Sequence, residues 1–310
     1  MGTPMSTSTT PPMSGMVRTR FSVMGTTGEI IVPAPDLGEV AAVIERVEQL
    51  ERRWSRFLPD SEVSLLNAAN GMPHEVSDDT VLLVEVANAS WHLTGGLFDP
   101  LLLHPLRLAG YDDDFELLPP DRPAPTVPYA EAAPRRADAR PLVDRDTRTV
   151  TLPHGAGFDP GGIGKGLAAD LGGDQLIRRG VSAGVINLGG DLRLWGEGPH
   201  DGDWHVGLPD RTVAVTDAGV ATSGTTRRHW NVAGRRLHHL IDPATAEPRA
   251  GETDSVTVVA ATAWLADVIA VAAAITPVAA VPDMLSRLGV EGVAVGSNRE
   301  TAATPRMYAR

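Results

Sequence analysis

Apolar and polar positions alternate from Arg18 to Val32, RTRFSVMGTTGEIIV, which predicts a strand interrupted around Met24-Gly25-Thr26, where a glycine lets something approach the backbone. The period then changes. From Leu37 to Phe57 the residues Val40, Val43, Ile44, Val47, Leu50 and Trp54 recur every three or four positions, as on a helix with one buried face, and that face is core. The helix stops before Pro59. Ser61 reads as a cap before a short turn ending at Asn67 to Gly71, and another helix is expected over Asp78 to Thr94, closed by Gly95-Gly96. Seven prolines between Leu117 and Pro141 predict an exposed connection. RPLVDRDTRTVTL predicts a hairpin turning at Asp144 to Thr147. A helix follows from near Lys165, then a buried strand that breaks at Gly189-Gly190-Asp191. Short strands are expected at WHVGL, TVAV and GVATSG, and His238 to Gly251 ends a strand in a turn at Asp242-Pro243. A strand and an almost wholly apolar helix, Ser255 to Ile275, close the core.

Composition narrows the function classes. A chain of 310 residues, 42% hydrophobic, can bury a large core. Its charge, 27 basic against 39 acidic residues or −12, comes without a basic block, which argues against a nucleic-acid partner. The absence of cysteine removes disulfides, thiol catalysis and thiolate metal sites, so any metal is held by oxygen or histidine. Residues 1–17 are rich in Ser, Thr, Pro and Gly, with neither the apolar core of a signal peptide nor a lipid-anchoring cysteine, and are expected to be a disordered tail before a domain spanning 18–310. No apolar run is long enough to cross a bilayer, so no membrane partner and a cytoplasmic location are expected.

The chemistry concentrates in FDPGGIGKGLAADL, Phe158 to Leu171. Asp159 precedes four glycines around the single Lys165, and such a segment can turn backbone N–H groups, a helix N-terminus and an ammonium toward a phosphate. It is not a Walker loop, because Gly166 stands where a hydroxyl would hold magnesium, and no uninterrupted strand precedes it as in a dinucleotide fingerprint. The glycines are equally a tight strand-to-helix turn. Phe98 and Asp99, just after the Gly95-Gly96 pair, sit where a loop residue is aimed into a cleft, or alternatively where a helix cap passes into core leucines. Asp267 is a carboxylate among alanines and valines with no basic neighbour within a helical turn, so metal ligation is favoured over a structural cap.

The strings MGT at Met24, SRF and DSEVSLLN between Ser55 and Asn67, GGLFDP at Gly95, FDPGGIGKGLAAD at Phe158, INLGGD at Ile186, TSG at Thr222, HLIDP at His239 and SVTVVA with LADVIAVA from Ser255 together resemble the ordered motifs of the FAD:protein FMN transferases, the ApbE-like family. The resemblance implies a mixed α/β (α+β) fold of T-fold-like architecture, with mixed sheets and packed helices around a flavin-binding cleft. It also implies transfer of FMN from FAD to a threonine or serine of an acceptor protein, with magnesium at the pyrophosphate and AMP leaving. FAD contacts would fall on Met24, Phe57, Leu97, Phe98, Asp99, Asp159, Lys165 and Ile241. The Gly162 carbonyl and Asp267 would hold the metal, and His239 would serve the transfer, although a histidine at a strand end is also an ordinary structural residue.

The chain departs from the family pattern twice. Phe57 stands for the usual tyrosine, which keeps a stacking face and loses a hydroxyl. Val271 stands four residues after Asp267, where the family carries a threonine that helps hold the metal. The activity expected first is therefore the transferase. The alternatives are an FAD pyrophosphatase giving FMN and AMP, and a non-catalytic FAD-binding protein.

Overall fold

The computed structural model describes residues 9–13, 15–119, 121–132, 139–208, 211–226, 228–249, 251 and 253–308. The chain opens with β1 (Thr9–Met13), β2 (Met16–Val23) and β3 (Thr26–Pro33), then α1 (Val40–Trp54), α2 (Glu62–Ala68), β4 (His74–Glu75) and α3 (Asp78–Leu93). The short helices α4 (Leu103–Leu108) and α5 (Tyr129–Ala132) lead to the hairpin β5 (Leu142–Asp144) and β6 (Thr149–Thr151), and then to α6 (Gly164–Arg178). Next come β7 (Gly184–Leu188), β8 (Asp191–Trp195), β9 (Trp204–Gly207), β10 (Thr212–Val215), β11 (Ala218–Gly224), β12 (His229–Val232) and β13 (Arg235–His238). The chain finishes with β14 (Thr253–Ala260), α7 (Ala263–Ala274), α8 (Val281–Arg287), β15 (Glu291–Gly296), β16 (Thr301–Ala303) and α9 (Pro305–Tyr308).

Nine strands form one sheet in the order β1-β2-β3-β7-β8-β11-β14-β15-β16. The class is mixed α/β, and every ladder between named strands is antiparallel. Alternation along the strands sends neighbours to opposite faces. Ile30 and Ile186 enter the main core under the helices, while Ile31 and Val185 join a second cluster with Trp204, Val215 and Val220 on the other side. On the helical side α7 lies on β11 and β14, α6 lies on β7, β8 and α7, and α1 lies on α6. Among the described residues no helix is long and apolar enough to cross a membrane.

The helix phases follow the apolar periodicity. Val40, Val43, Val47, Leu50 and Trp54 are the buried residues of α1, and Ser61 caps α2 by accepting from the Ser64 amide at 3.0 Å. Helix α1 ends at Trp54 rather than Phe57 because Ser55 turns extended. Three expectations change. The single strand over 18–32 is the hairpin β2–β3, since Met24 and Gly25 both take positive φ (52° and 62°), the geometry of a two-residue turn matching strand twist. The strand break at Gly189-Gly190 is a second such hairpin, β7–β8, with φ 70° and 110°. The expected tail over 1–17 gives way in part: residues 9–13 pair with β2, which itself begins at Met16, while residues 1–8 and 14 lie outside the described residues. Within the expected connection 117–141, α5 is formed, and residues 120 and 133–138 lie outside the described residues.

Helices α6 and α7 meet without room for side chains. A Cβ on Gly166 would stand 2.6 Å from the Ala263 carbonyl oxygen, and one on Gly219 of β11 would stand 2.1 Å from Thr262. The first amides of α7 are capped from outside its own sequence: Asp170 of α6 accepts from Ala263 N at 3.0 Å and Trp264 N at 2.8 Å, while the Thr262 side chain makes no cap bond. Asp170→Ala leaves two buried donors unpaired, each costing about 1–3 kcal/mol. We expect about 2–4 kcal/mol lower stability in urea unfolding, with a smaller loss for Asp170→Asn, which keeps one acceptor.

Candidate functional site

A cleft of about 1070 Å³ opens along the ends of these elements. Met24, Phe57, Leu97, Phe98, Asp99, Asp159, Gly162, Lys165, His239, Ile241 and Asp267 all line it, as does Val271. They arrive from turns and element ends spread over the chain, each fixed locally. Met24, left-handed at the β2–β3 turn, donates its amide to Glu51 Oε1 of α1 at 2.7 Å. Burial, the dominant effect, holds the Glu51 carboxyl above its ordinary range. Phe57 and Leu97 are exposed on the cleft rim, whereas Phe98 is buried and its amide donates to Thr94 Oγ1 at 3.0 Å. Asp99 Oδ1 accepts the Leu101 amide at 2.9 Å, and burial raises the Asp99 carboxyl against that bond and the nearby Arg140. Arg140, from the end of the proline-rich connection, lies 3.6 Å from Asp99 and stacks over Trp91, so the connection backs a residue of the cleft from behind. Ile241 packs in an aromatic cluster with Tyr111 and Trp230.

The Phe158 to Leu171 segment is held on both sides. The Asn67 side chain clamps Phe158, donating to its carbonyl at 2.9 Å and accepting from its amide at 2.7 Å. Asp159 accepts the Gly161 amide at 2.9 Å, and the Pro160 carbonyl takes the amides of Ile163 at 3.2 Å and Gly164 at 2.8 Å. Of the expected cradle of glycine N–H groups, those of Gly161 and Gly164 are thus spent inside the turn. The positive end of α6 faces a carboxylate of the protein itself, since the Gly166 amide donates to Asp267 Oδ2 at 3.4 Å. Gly162, with φ 97°, has no space for a Cβ, which would meet Val271 Cγ2 at 2.8 Å.

The charges are arranged around α6. Lys165 Nζ is paired with Asp191, which is buried at the start of β8. Burial lowers the Lys165 ammonium, opposed by Asp267 and reinforced by Arg228. Asp267 is buried as well, and its carboxyl is raised by burial against the pull of Lys165, the Gly166 amide and Arg228. Its isolation in sequence is therefore not isolation in space. His239 lies half-buried at the cleft wall, its Nδ1 sealed without a hydrogen-bond partner. Burial first, then Arg228 and His238, push its imidazole down to about 3.

Asp191, Arg56, Glu51, Arg140 and Arg228 were not singled out by the sequence patterns. A carboxylate directly after the Gly189-Gly190 break was the one available signal, for Asp191. Magnesium fits the donor set. Asp267 and the Gly162 carbonyl are hard oxygen donors, and the described residues hold no cluster of three or more His, Cys, Asp or Glu that could hold a metal ion. An ion that keeps waters and substrate phosphates needs only one or two protein carboxylates. The Val271 methyl beside Gly162 is the departure from that fit.

The ApbE family profile matches residues 24–294. This chain belongs to the ApbE family. It is 31% identical over 240 residues to an FAD:protein FMN transferase of Klebsiella pneumoniae, covering 70% of each, and 30% identical over 264 residues to one of Treponema pallidum, covering 76% of this chain and 71% of that protein. Its fold superposes on the ApbE protein of Thermotoga maritima with TM-score 0.84 at 24% identity, covering 98% and 99% of the two chains. The flavin transferase ApbE of Vibrio cholerae gives TM-score 0.77 at 21% identity, covering 99% of each.

The depressed His239 imidazole binds its proton more weakly in the folded chain (about 3) than in the unfolded one (6.5), so its contribution to stability is full above pH 6.5 and is lost as pH falls toward 3. Burial raises Asp170 to about 6, which gives the opposite slope between 3.8 and 6, so the wild-type curve alone is ambiguous. Comparison with His239→Gln isolates the histidine. Between pH 7 and pH 5 the variant should lose about 2 kcal/mol less stability than wild type in urea unfolding at the two pH values.

Proposed function

We propose that this chain is a magnesium-dependent FAD:protein FMN transferase, passing the FMN moiety of FAD to a threonine or serine hydroxyl of an acceptor protein with release of AMP. The observation that carries the reading is convergence: residues from eight separated strings meet at one cleft in which Lys165, Arg228 and a buried carboxylate face each other. Breaking a pyrophosphate is mainly positioning and charge neutralisation, and this cleft offers both. Asp267 and the Gly162 carbonyl would hold magnesium, which would supply neutralisation at the pyrophosphate. The acceptor oxygen forms the new bond to the FMN phosphorus while the bond to the AMP oxygen breaks, and Lys165 offsets charge on the departing phosphate. The hydroxyl proton passes to the neutral imidazole of His239, which lines the cleft. A base at about 3 is weak, and the negative charge of bound FAD lifts it toward the working range.

A second reading, FAD binding without turnover, has one observation in its favour: the Val271 methyl lies against Gly162 where a ligand hydroxyl is expected. Incubation with FAD, magnesium and a threonine-bearing acceptor separates the two. Transfer yields an FMN adduct on the acceptor by mass spectrometry and matching AMP, whereas AMP released equally without acceptor indicates hydrolysis and none at all indicates a binding protein. Asp267→Ala should cut turnover at least about 100-fold while the fold survives. Val271→Thr should lower the magnesium concentration for half-maximal activity. A Val271→Thr chain that melts lower with unchanged magnesium dependence, having buried an unpaired hydroxyl at about 1–3 kcal/mol, would remove the metal from this helix turn.

A further inference from the structure

Arg56 follows the end of α1 and is the most enclosed cation on the cleft wall, its side chain 4% exposed. The guanidinium carbon stands 4.1 Å from the Phe57 ring centroid and 4.5 Å from that of Tyr111, so two aromatic faces hold it. Its Nε lies 3.5 Å from Asp159 Oδ1. Both terminal nitrogens are sealed from solvent and have no hydrogen-bond partner. A structural arginine at this depth has its fork paired, because each buried donor left open is costly. The indole nitrogen of Trp54, on the same wall, also lacks a partner.

We propose that Arg56, together with Asp159, reads the edge of a neutral heterocycle of the substrate. An anion is the wrong guest, because a phosphate at these nitrogens would face the Asp159 carboxylate. A planar ring edge that carries an acceptor next to a donor satisfies both groups, the acceptor taking the guanidinium N–H groups and the donor reaching the carboxylate. The Phe57 ring on the cleft rim supplies a stacking face for the same ring. FAD has two such edges, the pyrimidinedione of the flavin and the amino-pyrimidine of adenine. The inference rests on the flavin-transfer reading, and the two edges are separable, since FMN carries only the first and AMP only the second.

The test measures FAD, FMN and AMP binding to the full chain and to Arg56→Lys and Arg56→Met, with melting curves for each. Lysine keeps the charge and loses the planar fork, whereas methionine keeps a stem between the rings and loses every donor. We expect both variants to weaken one fragment about tenfold and leave the other within about twofold, with FAD weakened in step. The weakened fragment names the edge. Wild-type affinity of a folded Arg56→Lys for both fragments overturns the proposal, as does equal loss of both, which marks Arg56 as support for the whole wall. If Arg56→Lys does not fold, Arg56→Met must show the same one-sided loss or the proposal fails. An unaltered chain that takes up no FAD overturns the flavin reading itself, and this proposal with it.

Discussion

The cleft depends on the junction between α6 and α7. Both elements bring charge to the site, Lys165 from the first turn of one and Asp267 from the second turn of the other; backbone contact at Gly166 sets their separation, and that at Gly219 of β11 seats α7 on the sheet. Asp170 then closes the join by capping α7 from α6. A helix capped by its own Ser or Thr can shift against its neighbours, whereas one capped by another helix cannot move without breaking the cap. Arg193 reinforces the arrangement from the sheet, lying 3.6 Å from Asp170 and donating to the Ala261 carbonyl at 3.1 Å. The relative placement of Lys165 and Asp267 is thus a property of the core.

On that base the site assembles from short, locally fixed turns. The β2–β3 turn holds Met24 left-handed, a conformation that costs a non-glycine residue energy, and the Glu51 carboxylate secures it by taking its amide. Asn67 and the Pro100 carbonyl, which accepts the Asp159 amide at 2.8 Å, tie the glycine segment to α2 and to the Phe98 loop. Three stretches distant in sequence therefore move as one wall.

Much of the fold was legible because its helices are amphipathic or wholly apolar and its strands alternate. The buried face of α1, the Ser61 cap and the β5–β6 turn follow from local pattern alone. The hairpin at Met24 was not legible, because a left-handed methionine has no sequence signature. The residues singled out for the site share one cleft, yet their partners were hidden. Lys165 and Asp191 are joined only after β7 and β8 fold back, and Arg140 reaches Asp99 from a segment whose prolines mark it as mere connection. The glycine segment offers fewer free amides than its sequence suggests, because Asp159 takes that of Gly161 and the Pro160 carbonyl that of Gly164 within the turn.

The Lys165–Asp191 pair changes what the empty protein offers to solution. A bare ammonium at the cleft floor would attract small anions from solution, inorganic phosphate and free nucleotides among them. Here the cation is already matched by a buried carboxylate, so a passing anion meets a nearly balanced dipole. Only a ligand that brings other binding energy, through rings that stack and edges that pair, can compete for the lysine. Selectivity against abundant simple anions is thus built into the resting charge pattern rather than into the shape of the opening.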